Sequence, residues 1–390
     1  MTQVVAPFGP HFGFGLYIHW PYCTRICPYC DFNVYAAKDR ATEPLVTAIA
    51  DDIRGHRRKL PEHGALDTVY FGGGTPALLQ PGQVAEILKA ASDAFGIKPG
   101  AEITLEANPN DVLKADLQAL RSAGVTRLSI GVQSMRDSAL AFLGRDHTAE
   151  AGAEAVKRAL KVFDTLSMDL IYARPGQSPA NWEAELADAL ALGAPHLSLY
   201  ELTFEPATAF GKAASRGEIV PMPDDAQADL YELTQQMTAA AGMPAYEVSN
   251  HAASAAHQSR HNLIYWRGGD WIGVGPGAHG RLTVSGNRYA TEAEKRPEGY
   301  MAGVQMLQEG WADAAKLPPL DIARELLAMG LRVAEGVDLR RVELVSGKPV
   351  SREKIGVFIE QGWVKLQGAE LSLTESGRLL ADALTSQLAP

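Results

Sequence analysis

The sequence predicts an α/β fold, a partial (β/α)6 barrel of six β-α units followed by a small C-terminal α+β domain. Three observations lead there. Short apolar runs rich in β-branched residues alternate six times with longer segments of helical period between residues 16 and 241. Each unit takes roughly thirty residues, which implies parallel strands joined by right-handed crossovers. Beyond residue 245 that rhythm stops, and near residue 316 a shorter pattern begins.

The elements follow in order. Strands are expected at residues 16–20, 67–71, 102–106, 127–132, 167–172 and 196–200, with helices near 42–59, 81–94, 111–123, 148–162, 179–192 and 225–241. Pro44, Pro81 and Pro179 stand near helix starts, where a missing N–H costs little. Six units fall short of the eight that close a TIM barrel, so the expectation is an open, TIM-like partial barrel. Residues 249–290 are rich in Gly, His, Asn and Trp and show no helical period. Helices at 322–334 and 352–361, a hairpin over 363–373 and a last helix at 375–387 read as a winged-helix-like module. The expected division is 1–245 for the barrel, 246–315 for a connecting segment and 316–390 for the C-terminal domain.

Composition narrows the function classes. The net charge of -10 provides no electrostatic attraction to nucleic acid or to an anionic membrane. Residues 316–390 carry ten Lys or Arg and ten Asp or Glu, a net charge of zero, so the winged-helix-like module is read as a packing or lid domain. No apolar run approaches the ~18 residues of a membrane span. Residues 1–10 have neither a basic nor an apolar export region, so the reading is cytoplasmic.

All three cysteines of the 390-residue chain fall in one stretch, Cys23, Cys27 and Cys30. An odd, clustered set does not form a disulfide framework. A C-x3-C-x2-C loop can turn three thiolates toward one centre. Zinc is one candidate, with His19 or Asp31 as a fourth ligand. A [4Fe–4S] cluster with one iron left open is the other. The loop follows the first strand, and in barrels of β-α units chemistry collects where strands end. The later strand ends are also polar or Gly-rich: Gly72-Gly-Gly-Thr-Pro, Glu106-Ala-Asn-Pro, Gly131-Val-Gln-Ser, Asp169 ahead of Tyr172-Ala-Arg-Pro, and Tyr200-Glu-Leu. A second motif, Gly275-Pro-Gly-Ala-His-Gly, satisfies G-x-G-x-x-G, but Pro276 removes a phosphate-binding N–H and no helix opens there. A nicotinamide or flavin site is rejected.

The cysteine spacing, Tyr17 six residues ahead of it and Gly-Gly-Gly-Thr-Pro resemble the radical S-adenosylmethionine superfamily. With Glu106, Gly131-Val-Gln, Gly144-Arg-Asp, Met168-Asp-Leu-Ile-Tyr and the C-terminal module, the chain resembles the oxygen-independent coproporphyrinogen III oxidase family and its haem-chaperone branch. The resemblance implies a [4Fe–4S] cluster on Cys23, Cys27 and Cys30, with S-adenosylmethionine on the open iron. It implies that Gly73, Gly74 and Thr75 lie against the methionine moiety, that Glu106 takes its amino group and that Arg145 takes its carboxylate. Gln133 and Asp169 would bond the ribose or its surroundings, the Tyr29 backbone would meet the adenine edge, and Tyr17 joins the same site.

Within that family two functions compete. The decarboxylase pattern has a fourth cysteine two residues beyond the trio and a long N-terminal arm. Here Phe32 stands at that position, and about fifteen residues precede the first strand. In contrast, His261-Asn-Leu-Ile-Tyr-Trp matches the H-N-x-x-Y-W motif of the haem-chaperone branch. The resemblance makes His261 the expected axial ligand of haem, with Tyr265 and Trp266 covering the macrocycle and His251 and His257 as substitutes. The expectation is a haem-binding chaperone serving haem-accepting proteins, respiratory membrane proteins among them, as a homodimer. The alternative is a radical enzyme acting on a porphyrinogen.

Overall fold

A computed structural model describes residues 6–37 and 42–390. The first strand, β1 (Phe14–Trp20), leads into the cysteine loop, where the two-residue strands β2 (Tyr22–Cys23) and β3 (Tyr35–Ala36) pair in parallel. Five β-α repeats follow: α1 (Glu43–Lys59), β4 (Leu66–Gly73), α2 (Pro81–Phe95), β5 (Ile97–Ala107), α3 (Pro109–Lys114), α4 (Leu117–Ser122), β6 (Arg127–Gln133), α5 (Asp137–Phe142), α6 (Ala149–Leu160), β7 (Thr165–Tyr172), α7 (Pro179–Leu190) and β8 (His196–Glu201). Strands β1, β4, β5, β6, β7 and β8 pair in that order, all parallel, which is the expected partial barrel.

The expected helix at 111–123 is two helices. Asp116 breaks it by accepting from the Ala119 N–H at 2.9 Å and capping α4 afresh. After α8 (Ala209–Ser215) and α9 (Asp224–Ala240), the segment expected to connect proves to be sheet. β9 (Asn250–Ala252) pairs antiparallel with β8 at one edge. β10 (Asp270–Val274) pairs parallel with β1 at the other. Then β11 (His279–Val284), β12 (Asn287–Ala293) and, beyond α11 (Pro297–Leu307), β13 (Trp311–Lys316) continue from that edge and bring the sheet to eleven strands among the described residues.

The stretch read as lacking a helix also contains α10 (Arg260–Arg267). Ser259 caps it and Gly268, at φ 75°, ends it in the left-handed conformation. Eight residues are too short to show a period by eye. The C-terminal module is α12 (Pro319–Gly330), β14 (Val337–Asp338), α13 (Leu339–Ser346), α14 (Arg352–Glu360), β15 (Val364–Gln367), β16 (Glu370–Leu373), α15 (Glu375–Arg378) and α16 (Ala381–Leu388). It has its own core around Leu327, Val342, Phe358 and Leu371. Helix α13 was not anticipated, and the last expected helix divides at Leu379–Leu380.

Strand alternation sorts the barrel's side chains. Leu105, Leu128, Ile130, Leu166, Met168 and Leu170 point outward into the core beneath the helices. Thr104, Glu106, Ser129, Ser167, Asp169 and Ser198 point into the lumen. A polar lumen needs partners or a ligand, because a buried polar group without one is costly.

The added edge is held by one buried carboxylate. Asp270 accepts from the Thr283 N–H (2.6 Å) and hydroxyl (2.8 Å) and from Arg288 Nη1 (2.9 Å), with His63 Nε2 at 2.9 Å. Asp270→Ala leaves Arg288 charged and buried, so the expected loss is about 3–5 kcal/mol of unfolding free energy in urea titrations. An unchanged midpoint would show that this edge stands without the ion pair.

Candidate functional site

The ends of the parallel strands open into a cavity of about 720 Å³. Cys23, Cys27 and Cys30 line it, together with Tyr29, Gly73, Gly74, Thr75, Glu106, Gln133, Arg145 and Asp169. Every residue expected at a cofactor near the thiols is therefore in one wall, except Tyr17. The cavity continues down the lumen to Arg127 and His196 at the opposite strand ends.

Backbone bonds set the thiols in place. The Gly74 N–H donates to the Trp20 carbonyl at 2.7 Å, and the Thr75 N–H donates to the Tyr22 carbonyl at 2.9 Å. This strip thus runs alongside the start of the cysteine loop. A Cβ on Gly74 would lie 2.7 Å from the Tyr22 carbonyl oxygen and 3.0 Å from Cys23 Sγ. Gly73, at φ 106°, would drive a Cβ into the His19 ring at 2.6 Å. The bare strip packs against the cysteine loop and the His19 ring with no room for a side chain.

Burial and the neighbouring thiols push Cys30 up to about 11, and burial raises Cys23 as well. Both are neutral near pH 7 until a cation draws off their protons. Arg145 spans the wall: Nη1 donates to Cys27 Sγ (3.3 Å), and Nη2 donates to Asn108 Oδ1 (2.6 Å) and the Gly131 carbonyl (2.9 Å). Its Nε and the amide oxygen of Gln133 are buried without a partner among the described residues. Gln133 sits at φ 65° beside a register shift between β6 and β7, a strained position for a residue other than glycine.

Glu106 accepts from the Tyr70 hydroxyl (2.7 Å) and the Gly73 N–H (3.1 Å). Burial raises its carboxyl to about 7 against those two donors, and the Asp169 charge adds to the rise. Asp169 accepts from the Ser129 hydroxyl at 2.9 Å and the Ser167 hydroxyl at 2.9 Å, while burial raises it.

Three of the expectations meet a different arrangement in the structure. Tyr17 lies under the site, its hydroxyl 3.1 Å from His19 Nδ1 and its ring stacked on Tyr70, and it does not line the cavity. His19 is bonded at both nitrogens, the second 2.9 Å from the Asn33 carbonyl, and the Asp31 side chain is exposed. Neither stands as a fourth ligand for zinc. Among the described residues no three His, Cys, Asp or Glu side chains are grouped so as to hold a metal ion.

The third concerns His261. It is 1% exposed, with Nδ1 2.6 Å from the Thr68 hydroxyl and Nε2 2.6 Å from the Tyr265 hydroxyl. Its N–H donates to Glu102 at 3.2 Å, and burial lowers its pKa to about 3. Helix α10 thus plugs the lower end of the lumen, where Ser259 and Asn262 line the cavity floor. His261 and Tyr265 hold that plug; neither offers a free atom to iron in this arrangement. Trp266 packs with Tyr246, Leu263 and Val333, and its Nε1 has no partner among the described residues. His251 is buried, which lowers it to about 4, and His257 lies beside Arg127, which donates to its carbonyl at 2.8 Å.

Sequence reasoning missed the lumen serines, Thr104, Arg127, Asn250 and the C-terminal Arg332 and Arg378, all of which line the cavity. The alternation Ser129, Gly131, Gln133 along one strand was a signal for the first group. Nothing local marks the arginines.

Gly74→Ala tests the close-approach strip. We expect a several-fold fall in iron and sulfide taken up on anaerobic reconstitution, with the far-ultraviolet circular dichroism unchanged. Full uptake would mean that the strip does not position Cys23.

Comparison with known proteins agrees with this geometry. The radical SAM superfamily pattern matches residues 17–189, and the HemN C-terminal domain pattern matches residues 317–380. The heme chaperone HemW of Mycobacterium tuberculosis is 35% identical over 386 residues, covering 96% of this chain and 94% of that protein. HemW of Escherichia coli is 35% identical over 384 residues, covering 95% and 96%. The mitochondrial radical S-adenosyl methionine domain-containing protein 1 of Danio rerio is 37% identical over 336 residues, covering 85% and 75%. Among solved structures, the coproporphyrinogen III oxidase HemN of Escherichia coli superposes with a TM-score of 0.78 at 20% identity, covering 97% of this chain and 90% of that one, a likeness of fold. The chain belongs to the HemW family of the radical S-adenosylmethionine superfamily.

Proposed function

We propose that this protein is a haem chaperone that carries a [4Fe–4S] cluster and S-adenosylmethionine and passes haem to acceptor proteins. The observation that carries the cofactor part is the single cavity wall in which three cysteines, the bare Gly73–Thr75 strip, Glu106 and Arg145 meet. Cys23, Cys27 and Cys30 would hold the cluster. Glu106 would take the ammonium and Arg145 the carboxylate of the methionine moiety, and Gln133 and Asp169 lie where ribose hydroxyls need partners. A reduced cluster of this kind supplies an electron able to split a sulfonium. The haem part rests on the names of the HemW relatives.

One feature weighs against decarboxylation. Phe32, at the position of the oxidase's fourth cysteine, is 60% exposed at the cavity mouth and supplies no thiol. A porphyrinogen-modifying radical enzyme remains the second reading, favoured by the depth of the polar lumen below Glu106. No helix among the described residues is long and apolar enough to cross a membrane. The acceptors and a homodimeric state belong to the proposal as well.

Two measurements test it. The Glu106 carboxylate is the form that binds an ammonium. Because its pKa is raised to about 7, S-adenosylmethionine affinity should rise as pH increases from 5.5 to 7, by up to about tenfold per unit. Calorimetry on Glu106→Gln should show that slope removed; an unaltered slope would separate Glu106 from the amino group.

Anaerobic haem titration of the cluster-loaded protein, followed by its Soret band, tests the carrier role. We expect saturable binding by wild type. Because both nitrogens of His261 are bonded within the protein, His261→Ala should bind haem with unchanged affinity while melting at a lower temperature. Loss of the Soret band at an unchanged melting temperature would show instead that α10 opens and His261 is the ligand. No saturable binding by wild type would overturn the chaperone reading.

A further inference from the structure

Folded proteins scatter their exposed apolar side chains, and a cluster of them marks a contact surface. Here Ile26 (46% exposed), Phe32 (60%), Tyr200 (43%) and Leu379 (39%) all line the mouth of the one cavity. They come from three distant places: the cysteine loop, the end of β8 and the break between α15 and α16. Cations line the same cavity, Arg25 from the cysteine loop and two from the C-terminal module, and so do the carboxylates Asp31, Glu201 and Asp382. Arg332, after α12, and Arg378, at the end of α15, both line the cavity from the C-terminal module.

Neither guanidinium is committed to the fold as the buried arginines are. Arg288 has Asp270 at 2.9 Å inside the core, with side-chain exposures of 1% and 0%. Arg332 has an outward bridge, 3.1 Å to Asp382, whose side chain is 90% exposed, and its charge also opposes the rise that burial causes in the Glu247 carboxyl. Such a bridge contributes little to stability and is readily exchanged for another carboxylate. The Arg332 guanidinium carbon also stands 5.9 Å from the centroid of the Trp266 ring on α10. Arg378 has no ion pair among the described residues; its charge is felt by the Tyr231 hydroxyl in the same wall.

A mouth with apolar walls and two available guanidiniums on one side fits a flat apolar molecule with a carboxylate edge. Resting on the haem reading above, we propose that haem docks at this mouth, its macrocycle against Phe32, Ile26, Tyr200 and Leu379 and its two propionates on Arg332 and Arg378. The C-terminal module then selects the free-acid tetrapyrrole.

The test compares haem with its dimethyl ester, which keeps the macrocycle and lacks both charges. Affinities are measured by Soret titration for wild type, Arg332→Gln/Arg378→Gln, Arg378→Lys and Asp382→Asn. We expect the double variant to lose about tenfold or more in affinity for haem and little for the ester. Arg378→Lys should restore part of the loss, and Asp382→Asn, which frees Arg332, should bind haem as tightly as wild type or more so. Equal losses for haem and ester would indicate a distorted fold and overturn the propionate contact. Wild-type affinity in the double variant would overturn it too, leaving the chaperone reading intact. No saturable binding of haem or ester by wild type would overturn both.

Discussion

The hydrogen bond from the Gly74 N–H to the Trp20 carbonyl, with its neighbour from Thr75 to Tyr22, is the contact on which the site depends. It extends the β1–β4 pairing past the end of the strands and into the cysteine loop. It registers the loop against the Gly73–Gly74 backbone, while Arg145 on Cys27 Sγ and His19 on the Asn33 carbonyl tie the loop to the barrel elsewhere. The Gly73 N–H also donates to Glu106, so strand, strip and acid are joined. Loop residues act chemically when a rigid scaffold aims them, and here two backbone bonds supply the aim.

The second constraint is electrostatic. Opening a barrel at six strands leaves a lumen that apolar residues could have filled, yet this lumen is lined with serine, threonine, aspartate and arginine. Most are paired: Ser129 and Ser167 with Asp169, Ser167 with His196 at 2.7 Å, and His196 with Tyr246 at 2.9 Å. Thr104 Oγ1, Arg127 Nη2 and Asn250 Oδ1 are not paired among the described residues. Buried atoms of this kind cost stability unless a ligand or water takes them. Their grouping along one cavity is what a binding site looks like before its ligand enters.

Helix α10 joins these two themes. It closes the lumen from below through His261, which binds Thr68 on β4 and Tyr265 on its own helix, and through the backbone bond to Glu102. The Tyr70 ring, stacked 5.1 Å from His261, donates its hydroxyl to Glu106 at the upper end. A single side chain therefore touches the floor plug and the acid of the cofactor wall. The haem-chaperone motif is, in this arrangement, a structural joint at the far end from the thiols.

Much of this was legible in the sequence. The six β-α repeats follow from apolar periodicity, which burial beneath the helices enforces, and their order in the sheet follows from right-handed crossovers. The three cysteines, the triple glycine, Glu106, Gln133, Arg145 and Asp169 stood at strand ends, so their convergence was readable once the strands were. What lay outside the sequence was decided by long-range contact. Five strands formed within residues 250–316 because β1 and β8 had free edges to satisfy. Tyr17 and His261 turned inward because strand parity and an eight-residue helix placed them against Tyr70 and Thr68. Arg332 and Arg378 reached the cavity because the C-terminal module packs over its mouth. Local pattern determines which residues face a core; only the packed tertiary structure decides which distant side chains face each other.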